Sequence, residues 1–396
     1  MVKFMKKHKI YLLFIFAFII PLCTCNDPVF FTISQEVKPI EPRIKGTPTN
    51  FVVYNGRMYV ASGNTLYSYN KGTEKPYWSY ETPPGGKILQ LATTESAPSG
   101  KYLYALCSTD YDISGRTVIK YYDKNNSSWA QVSGIPDNYG RIHNIFEANC
   151  IIFFYATAST DRYDIFYTIF FIDSSGTVKR LFTQDPNDTG ELCGAAWNGT
   201  SYFLLTKNRG VYKIDNLNTS TASLIESNIN FTGIINLEDT NNTIFLIARD
   251  GDAYTVNNSI VTRSPFMNKL STGALAIWRE NDSSSEWLLL SGRQDSLRYT
   301  VSFGYTYGYL ELAINTAGIA GGFAEPGRNL LSSVRQGGNP RYQSTLGKQP
   351  VNHLFQVPST IDPNMTLFAA TQKNGVWSYR ERGSLYQWNA EGENEP

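Results

Sequence analysis

The sequence predicts an all-β fold, a seven-bladed β-propeller with four antiparallel strands per blade. Three observations carry the prediction. Variants of one stretch, Arg57–Tyr69 (RMYVASGNTLYSY), recur along the chain at a spacing of about 40–50 residues, the period of a propeller blade. Each recurrence contains four short strand-like runs bounded by Gly, Asn, Asp or Ser. The second run of each unit is apolar without alternation, as in a strand covered on both faces. Composition agrees: aromatic residues make up 14% of the chain, with 26 Tyr and 22 Phe, and 31 Gly and 18 Pro punctuate it. A chain of 396 residues buries a sizeable core without disulfide staples. Its net charge of +1 sets up no global field for nucleic acid or an anionic surface.

The N-terminus reads as a targeting segment. Lys3, Lys6, Lys7 and Lys9 precede the apolar run Ile10–Ile20. That run falls short of the roughly 20 residues a membrane span needs, and suits a signal-peptide core. Leu22 and Thr24 then satisfy a lipobox with Cys25 as the acylated residue. The register with Cys23 acylated fits worse, because Pro21 and Leu22 fall at the defining positions. The other reading is an ordinary secretory signal with coincidental cysteines. Residues 1–24 are thus expected to be a lipoprotein signal peptide, and 25–48 a tether. Within the tether, Val29–Ser34 (VFFTIS) could form one extra strand that helps close the ring, and Lys38–Arg43 (KPIEPR) reads as extended.

The propeller is expected over 49–396. Unit one runs FVVYNG, RMYVAS, TLYSYN, PYWSYE from Phe51, and unit two ILQLATT, KYLYALCS, TVIKYYD, SWAQVS from Ile88. Unit three is IHNIFEAN, IIFFYATA, IFYTIFFID, TVKRLFT from Ile142, and unit four ELCGAAWNG, SYFLLTK, GVYKID, ASLIES from Glu191. Unit five is TGIINLED, TIFLIAR, DAYTVN, SIVTRS from Thr232. Unit six is TGALAIWRE, EWLLLSG, LRYTVSF, YGYLELAI from Thr272, and unit seven NHLFQVPS, TLFAATQ, GVWSYRE, LYQWNA from Asn352. The spacing nearly doubles between units six and seven, so six or eight blades are the alternatives. The excess falls in Asn315–Gln349, a Gly-rich insertion without a clear strand. It carries Arg328, Arg335, Arg341 and Lys348 against Glu325 alone. These residues, with Tyr342 as an anchor, are the candidate partner-binding surface; the plainer reading is a solvated surface loop.

Catalytic signatures are scarce. His143 and His353 fall in predicted innermost strands, with no second His or acidic pair nearby in sequence, and read as structural. No nucleophile elbow, HExxH, Walker A or GxGxxG occurs. Asp110, Asp112, Ser114 and Gly115 match the first half of a calcium loop, but the twelfth position is Tyr121 where a bidentate Glu is required. A polar hairpin turn is the better reading. Cys107, Cys150 and Cys193 show no metal spacing and read as buried free thiols. The seven tryptophans, Trp78, Trp129, Trp197, Trp278, Trp287, Trp377 and Trp388, could stack on sugars, but most recur at blade positions where packing explains them.

On the leader and the blade pattern together, the chain resembles spirochaete-type, Treponema-like lipoproteins with a β-propeller domain. The lipobox covers only the first residues, and the blade pattern covers about 49–391 and is generic. The resemblance therefore carries no catalytic residue across. The lipidated propeller of the outer-membrane barrel-assembly machinery is similar in anchor and architecture only. Its Asp/Gly/Trp blade signature, and the WD and kelch signatures, are missing. The expectation is a lipid-anchored, extracytoplasmic propeller of the bacterial cell envelope that binds or scaffolds an envelope protein and is non-catalytic. It would take no cofactor, metal or nucleic acid, and touch the membrane through its lipid. The alternative is an extracytoplasmic propeller enzyme or carbohydrate-binding protein.

Overall fold

The chain divides into a unit Met1–Ile40 and a unit Glu41–Pro396. A computed structural model describes residues 44–391 of the second, apart from 72–76, 95–101, 109–115, 124–126, 138, 160–164, 182–189, 208, 220–221, 228, 238–242, 258, 267–269, 284–286, 295–307, 316–317, 320–321, 324–345, 347–349 and 383–384. The regular elements among these residues are strands.

Seven four-stranded sheets follow one another along the chain, each an antiparallel meander. Blade one holds β1 (Val52–Tyr54), β2 (Arg57–Ser62), β3 (Thr65–Tyr69) and β4 (Trp78–Glu81). Blade two holds β5 (Lys87–Thr93), β6 (Tyr102–Ser108), β7 (Thr117–Asp123) and β8 (Ser128–Gln131). Blade three holds β9 (Tyr139–Ala148), β10 (Ile151–Ser159), β11 (Ile165–Ile172) and β12 (Val178–Arg180). Blade four holds β13 (Leu192–Trp197), β14 (Tyr202–Thr206), β15 (Gly210–Ile214) and β16 (Ser223–Glu226). Blade five holds β17 (Phe231–Asn236), β18 (Ile244–Ala248), β19 (Asp252–Asn257) and β20 (Ile260–Phe266). Blade six holds β21 (Leu270–Arg279), β22 (Trp287–Gln294), β23 (Tyr309–Asn315) and β24 (Gly318–Ile319). Blade seven holds β25 (Val351–Gln356), β26 (Leu367–Thr371), β27 (Val376–Arg382) and β28 (Leu385–Ala390).

Successive side chains of a strand point to opposite faces, and here both faces are covered by neighbouring blades. In β10, Ile152, Phe154 and Ala156 pack toward blade two, while Phe153 and Tyr155 pack toward blade four. In β26, Leu367 and Ala369 pack on blade six, and Phe368 and Ala370 on blade one. That is why the second strands are continuously apolar: there is no solvent face to alternate with. The core is accordingly a set of wedges, one between each pair of neighbouring blades. Each fully buried Phe or Leu in them contributes about 1.5–3 kcal/mol.

Blade six differs from expectation. Its third strand is Tyr309–Asn315, not LRYTVSF, and its fourth is the two-residue β24 inside the stretch expected to lack strands. LRYTVSF lies outside the described residues. Pairing decided the matter: Leu288 faces Ala313 and Leu290 faces Glu311 across the sheet. Lengthening the connection between two paired strands costs little entropy, so the place beside β22 is open to a run farther along the chain. Leu346, also inside Asn315–Gln349, is buried in the wedge between blades six and seven.

The ring closes between blades seven and one. Among the described residues blade seven takes its four strands from the C-terminal end, and packing and hydrogen bonds hold the seam; Val29–Ser34, expected as an extra strand, lies outside the described residues. Gly375 N donates to Gly46 O at 2.9 Å, and Val376 N to Ile44 O at 3.3 Å. Tyr69 Oη donates to Asp362 Oδ2 at 2.9 Å, and Trp78 Nε1 to Glu391 Oε2 at 2.6 Å, both across the seam and both buried.

Blades five and six approach through glycine. A Cβ on Gly273 (φ +85) would sit 2.4 Å from Thr232 O, and one on Gly233 2.7 Å from Gly273 O. Gly273→Ala is expected to destabilise the ring by about 2–4 kcal/mol, from left-handed strain plus the clash. Urea unfolding checks this, and an unchanged midpoint would show that the two blades do not need the close approach.

Candidate functional site: the axial funnel

The first strands of successive blades neighbour one another around the axis from β1 to β25, and Phe51, just before β1, bonds to His353 of β25. Six of these first strands carry a bulge or register shift against their second strand: Leu89, Gly140 and His143, Cys193, Thr232, the Thr272–Ala274 stretch and Asn352 are the unpaired residues. A bulge kinks the strand and re-aims a side chain. Leu89, Cys193, Thr232, Thr272 and Asn352 all line one axial cavity.

That cavity has a volume of about 860 Å³ and takes residues from every blade. It adjoins a chamber of about 340 Å³ lined by blades five to seven, with Asn236, Arg279, Trp287 and Met365 on its wall. His353, Phe355 and Pro358 line both. Volumes of roughly 300–1,000 Å³ are those of ligand sites. Most polar groups of the funnel are uncharged amides and hydroxyls; Glu147 is the carboxylate among its described lining.

Many of these polar groups also stitch the ring. Asn50 exchanges two hydrogen bonds with the backbone of Leu91, at 2.8 and 2.9 Å. Ile145 N donates to Gln90 Oε1 at 3.0 Å, and Asn144 Nδ2 donates to Leu192 O. Cys193 Sγ lies 3.7 Å from Phe231 O, and Thr272 Oγ1 donates to Val351 O at 2.7 Å. Phe51 N donates to His353 Nδ1 at 3.3 Å, completing the circuit. Six of the seven joints thus use a side-chain to backbone bond at the axis, and the joint between blades five and six uses the paired glycines. Gln356 repeats the device at the other end of the axis, accepting from Arg279 N at 2.9 Å and donating to Arg279 O at 2.7 Å.

His143 and His353 stand in innermost strands. His143 Nε2 is 3.3 Å from Thr157 Oγ1. Burial, and then the Arg141 charge, lower its pKa. His353 is pushed down to about 4 by burial, so its ring is neutral at physiological pH. Of the thiols, Cys107 and Cys150 are buried and Cys193 half-buried, and all three are free. Burial raises Cys107 to about 11 and Cys193 to about 12, which leaves them protonated and unreactive.

The tryptophans divide. Trp78, Trp278 and Trp388 are buried between blades. Trp129 and Trp377 donate to Thr82 O and Asn374 O, and Trp197 packs on Tyr202 at 4.3 Å. Trp287 packs against the wedge between blades five and six and also lines the smaller chamber. The sequence pattern did not single it out, since a half-buried Trp on a second strand looks like any other packing aromatic. The bulge residues were missed because a bulge is decided by pairing. One signal was present, the repeated Thr-Gly of Thr232-Gly233 and Thr272-Gly273.

Cys25 and the candidate surface Arg328, Arg335, Arg341, Tyr342 and Lys348 lie outside the described residues. So does the loop 109–115 with Asp110 and Asp112, which joins the second and third strands of blade two. Among the described residues no group of three or more His, Cys, Asp or Glu side chains is placed to hold a metal ion.

No protein-family model and no curated protein sequence matches the chain. Solved structures do. A GH74 enzyme of Niastella koreensis superposes with a TM-score of 0.53 at 12% identity, covering 89% of this chain and 55% of the enzyme. An ancestral GH74 enzyme superposes with a TM-score of 0.51 at 13% identity, covering 89% and 47%. At this identity the likeness establishes the propeller fold, and the chain spans about half the length of the enzymes it matches. The expectation of a non-catalytic, protein-binding scaffold is corrected here. Both of these neighbours are GH74 glycoside hydrolases, a finding that stands against that expectation.

Proposed function

We propose that the chain is an extracytoplasmic, carbohydrate-active propeller, a glycoside-processing enzyme that holds a glycan in its axial funnel. The observation that carries the reading is the funnel itself. It is open, about 860 Å³ in volume, and lined mainly by uncharged amide, hydroxyl and apolar groups from all seven blades. Such a wall suits a neutral polyhydroxylated chain better than an ion. Two solved GH74 enzymes share the fold, which supports the same direction. Trp287 and Phe355 add apolar walls for sugar faces in the adjoining chamber.

Glycoside hydrolysis by either stereochemical route uses a pair of carboxyl groups. Glu147 is the funnel carboxylate among the described residues and the candidate acid/base. A second carboxylate is not among the described lining residues. Lipid attachment at Cys25 belongs to the same reading: diacylation would hold the enzyme at a membrane, with the following residues as its tether.

The test is direct. The purified chain is incubated with cellohexaose, mannohexaose and chitohexaose, and binding is followed by calorimetry and cleavage by release of reducing ends. At least one oligosaccharide is expected to bind and be cut. A folded protein that neither binds nor cuts any of the three would sink the proposal.

A further inference from the structure

We propose that His353 is a fixed, uncharged hydrogen-bond donor that holds an oxygen acceptor of a hydroxylated ligand in the axial channel. The inference rests on the carbohydrate reading above and assigns a recognition group to that site.

Four observations carry it. The imidazole stands on the wall shared by the 860 Å³ funnel and the 340 Å³ chamber, at the junction of the two. Its Nδ1 accepts the backbone N–H of Phe51 at 3.3 Å, across the joint between blades seven and one. A neutral imidazole that accepts at one nitrogen carries its proton on the other, so Nε2 is the donor. No described residue accepts from Nε2, which leaves this N–H for whatever occupies the channel. The ring plane is set by aromatic neighbours: Phe51 at 5.7 Å, and Phe355 at 6.5 Å and nearly parallel at 18°.

The chemistry selects the ligand class. A neutral N–H donor takes a hydroxyl, ether or carbonyl oxygen. It offers nothing to a cation, and lacks the charge an anion site would supply. Burial keeps the ring from protonating down to about pH 4, so the donor role does not lapse in mildly acid surroundings. A protonated ring would lose the acceptor that Phe51 N requires, so the seam bond and the donor geometry depend on the same tautomer. His353 therefore does two things at once. It ties the backbone of blade one to blade seven, and it presents an oriented donor to the axis. That coupling explains a histidine here rather than an amide, because only the imidazole has an acceptor and a donor on opposite edges of one rigid ring.

The experiment uses the full ¹⁵N-labelled chain. Long-range ¹H–¹⁵N spectra report the His353 tautomer directly, and cellohexaose, mannohexaose and chitohexaose are the probes. The expected result is the Nε2–H tautomer from pH 5 to 8 and a shift of the Nε2 resonance with a bound hexaose. For His353→Asn, which keeps an acceptor near Phe51 N but loses the reach of Nε2, affinity falls roughly three- to tenfold, the worth of one neutral hydrogen bond. If a hexaose binds but Nε2 does not respond, or the folded Asn variant binds equally well, the inference is overturned and the carbohydrate reading stands. An Nδ1–H tautomer in the free protein also overturns it. If no hexaose binds, the carbohydrate reading and this inference fall together. Should the Asn variant not fold, the response of Nε2 in the unmodified protein decides alone.

Discussion

Asp362→Ala is expected to lower the stability of the propeller by about 3 kcal/mol, the scale for breaking a buried charged partnership from one side. The side chain is fully buried at the seam between the last blade and the first. Its Oδ2 accepts from Tyr69 at 2.9 Å, its Oδ1 accepts from Asn364 N at 2.9 Å, and Lys71 Nζ stands 3.8 Å from Oδ1. Alanine strands the tyrosine hydroxyl in the wedge and leaves the lysine without its counter-charge. Tyr69 is doubly committed, since its ring also packs on Trp78 at 5.0 Å and Phe368 at 5.0 Å. Tyr69→Phe keeps that packing and the carboxylate's other partners, so it should cost only about 1 kcal/mol. For a domain of this size the alanine change corresponds to a melting shift of roughly 4 °C. Calorimetry distinguishes the two variants. An alanine variant as stable as its parent would mean that the seam is held by apolar packing alone.

Glu147→Gln is expected to reduce glycan turnover by about 10²–10⁴-fold, the usual worth of a general acid/base, while leaving affinity for uncleaved glycan nearly unchanged. The substitution is isosteric. Glu147 Oε1 accepts from Cys150 N at 2.9 Å, and the amide oxygen of glutamine can keep that bond. The bond matters locally, because Asn149 (φ 45) and Cys150 (φ 66) form a left-handed turn between β9 and β10 without a glycine. Loss of turnover without loss of binding would therefore report proton transfer, not a disturbed hairpin. Unchanged kcat in the glutamine variant would remove Glu147 from the chemistry.

Much of the architecture was legible because it follows from local periodicity. The stretch Arg57–Tyr69 forms the expected hairpin, with Met58 opposite Tyr69 and Ser62 opposite Thr65. Tyr59 and Tyr67 are buried in it as packing residues. The runs in β10, β14, β18 and β26 declared strands covered on both faces, and all four are second strands. In blade six the sequence offers two apolar runs, LRYTVSF and YGYLELAI, for the place beside β22, and only the β22–β23 register chooses between them.

The candidate site was far less legible. His143 and His353 could be placed on inner strands from the sequence, but the acceptor role of His353 depends on Phe51, some three hundred residues earlier in the chain. Trp287 was one tryptophan among seven until the ring set it against the axis. By itself the sequence determined the strand runs, the four-strand repeat and its sevenfold recurrence, because side-chain alternation and turn residues act over neighbouring positions. The tertiary structure alone decided which runs pair in blade six, where the bulges fall, how the seam is latched and which groups face the axis. Those features arise from contacts between blades, whose residues become neighbours only when the ring closes.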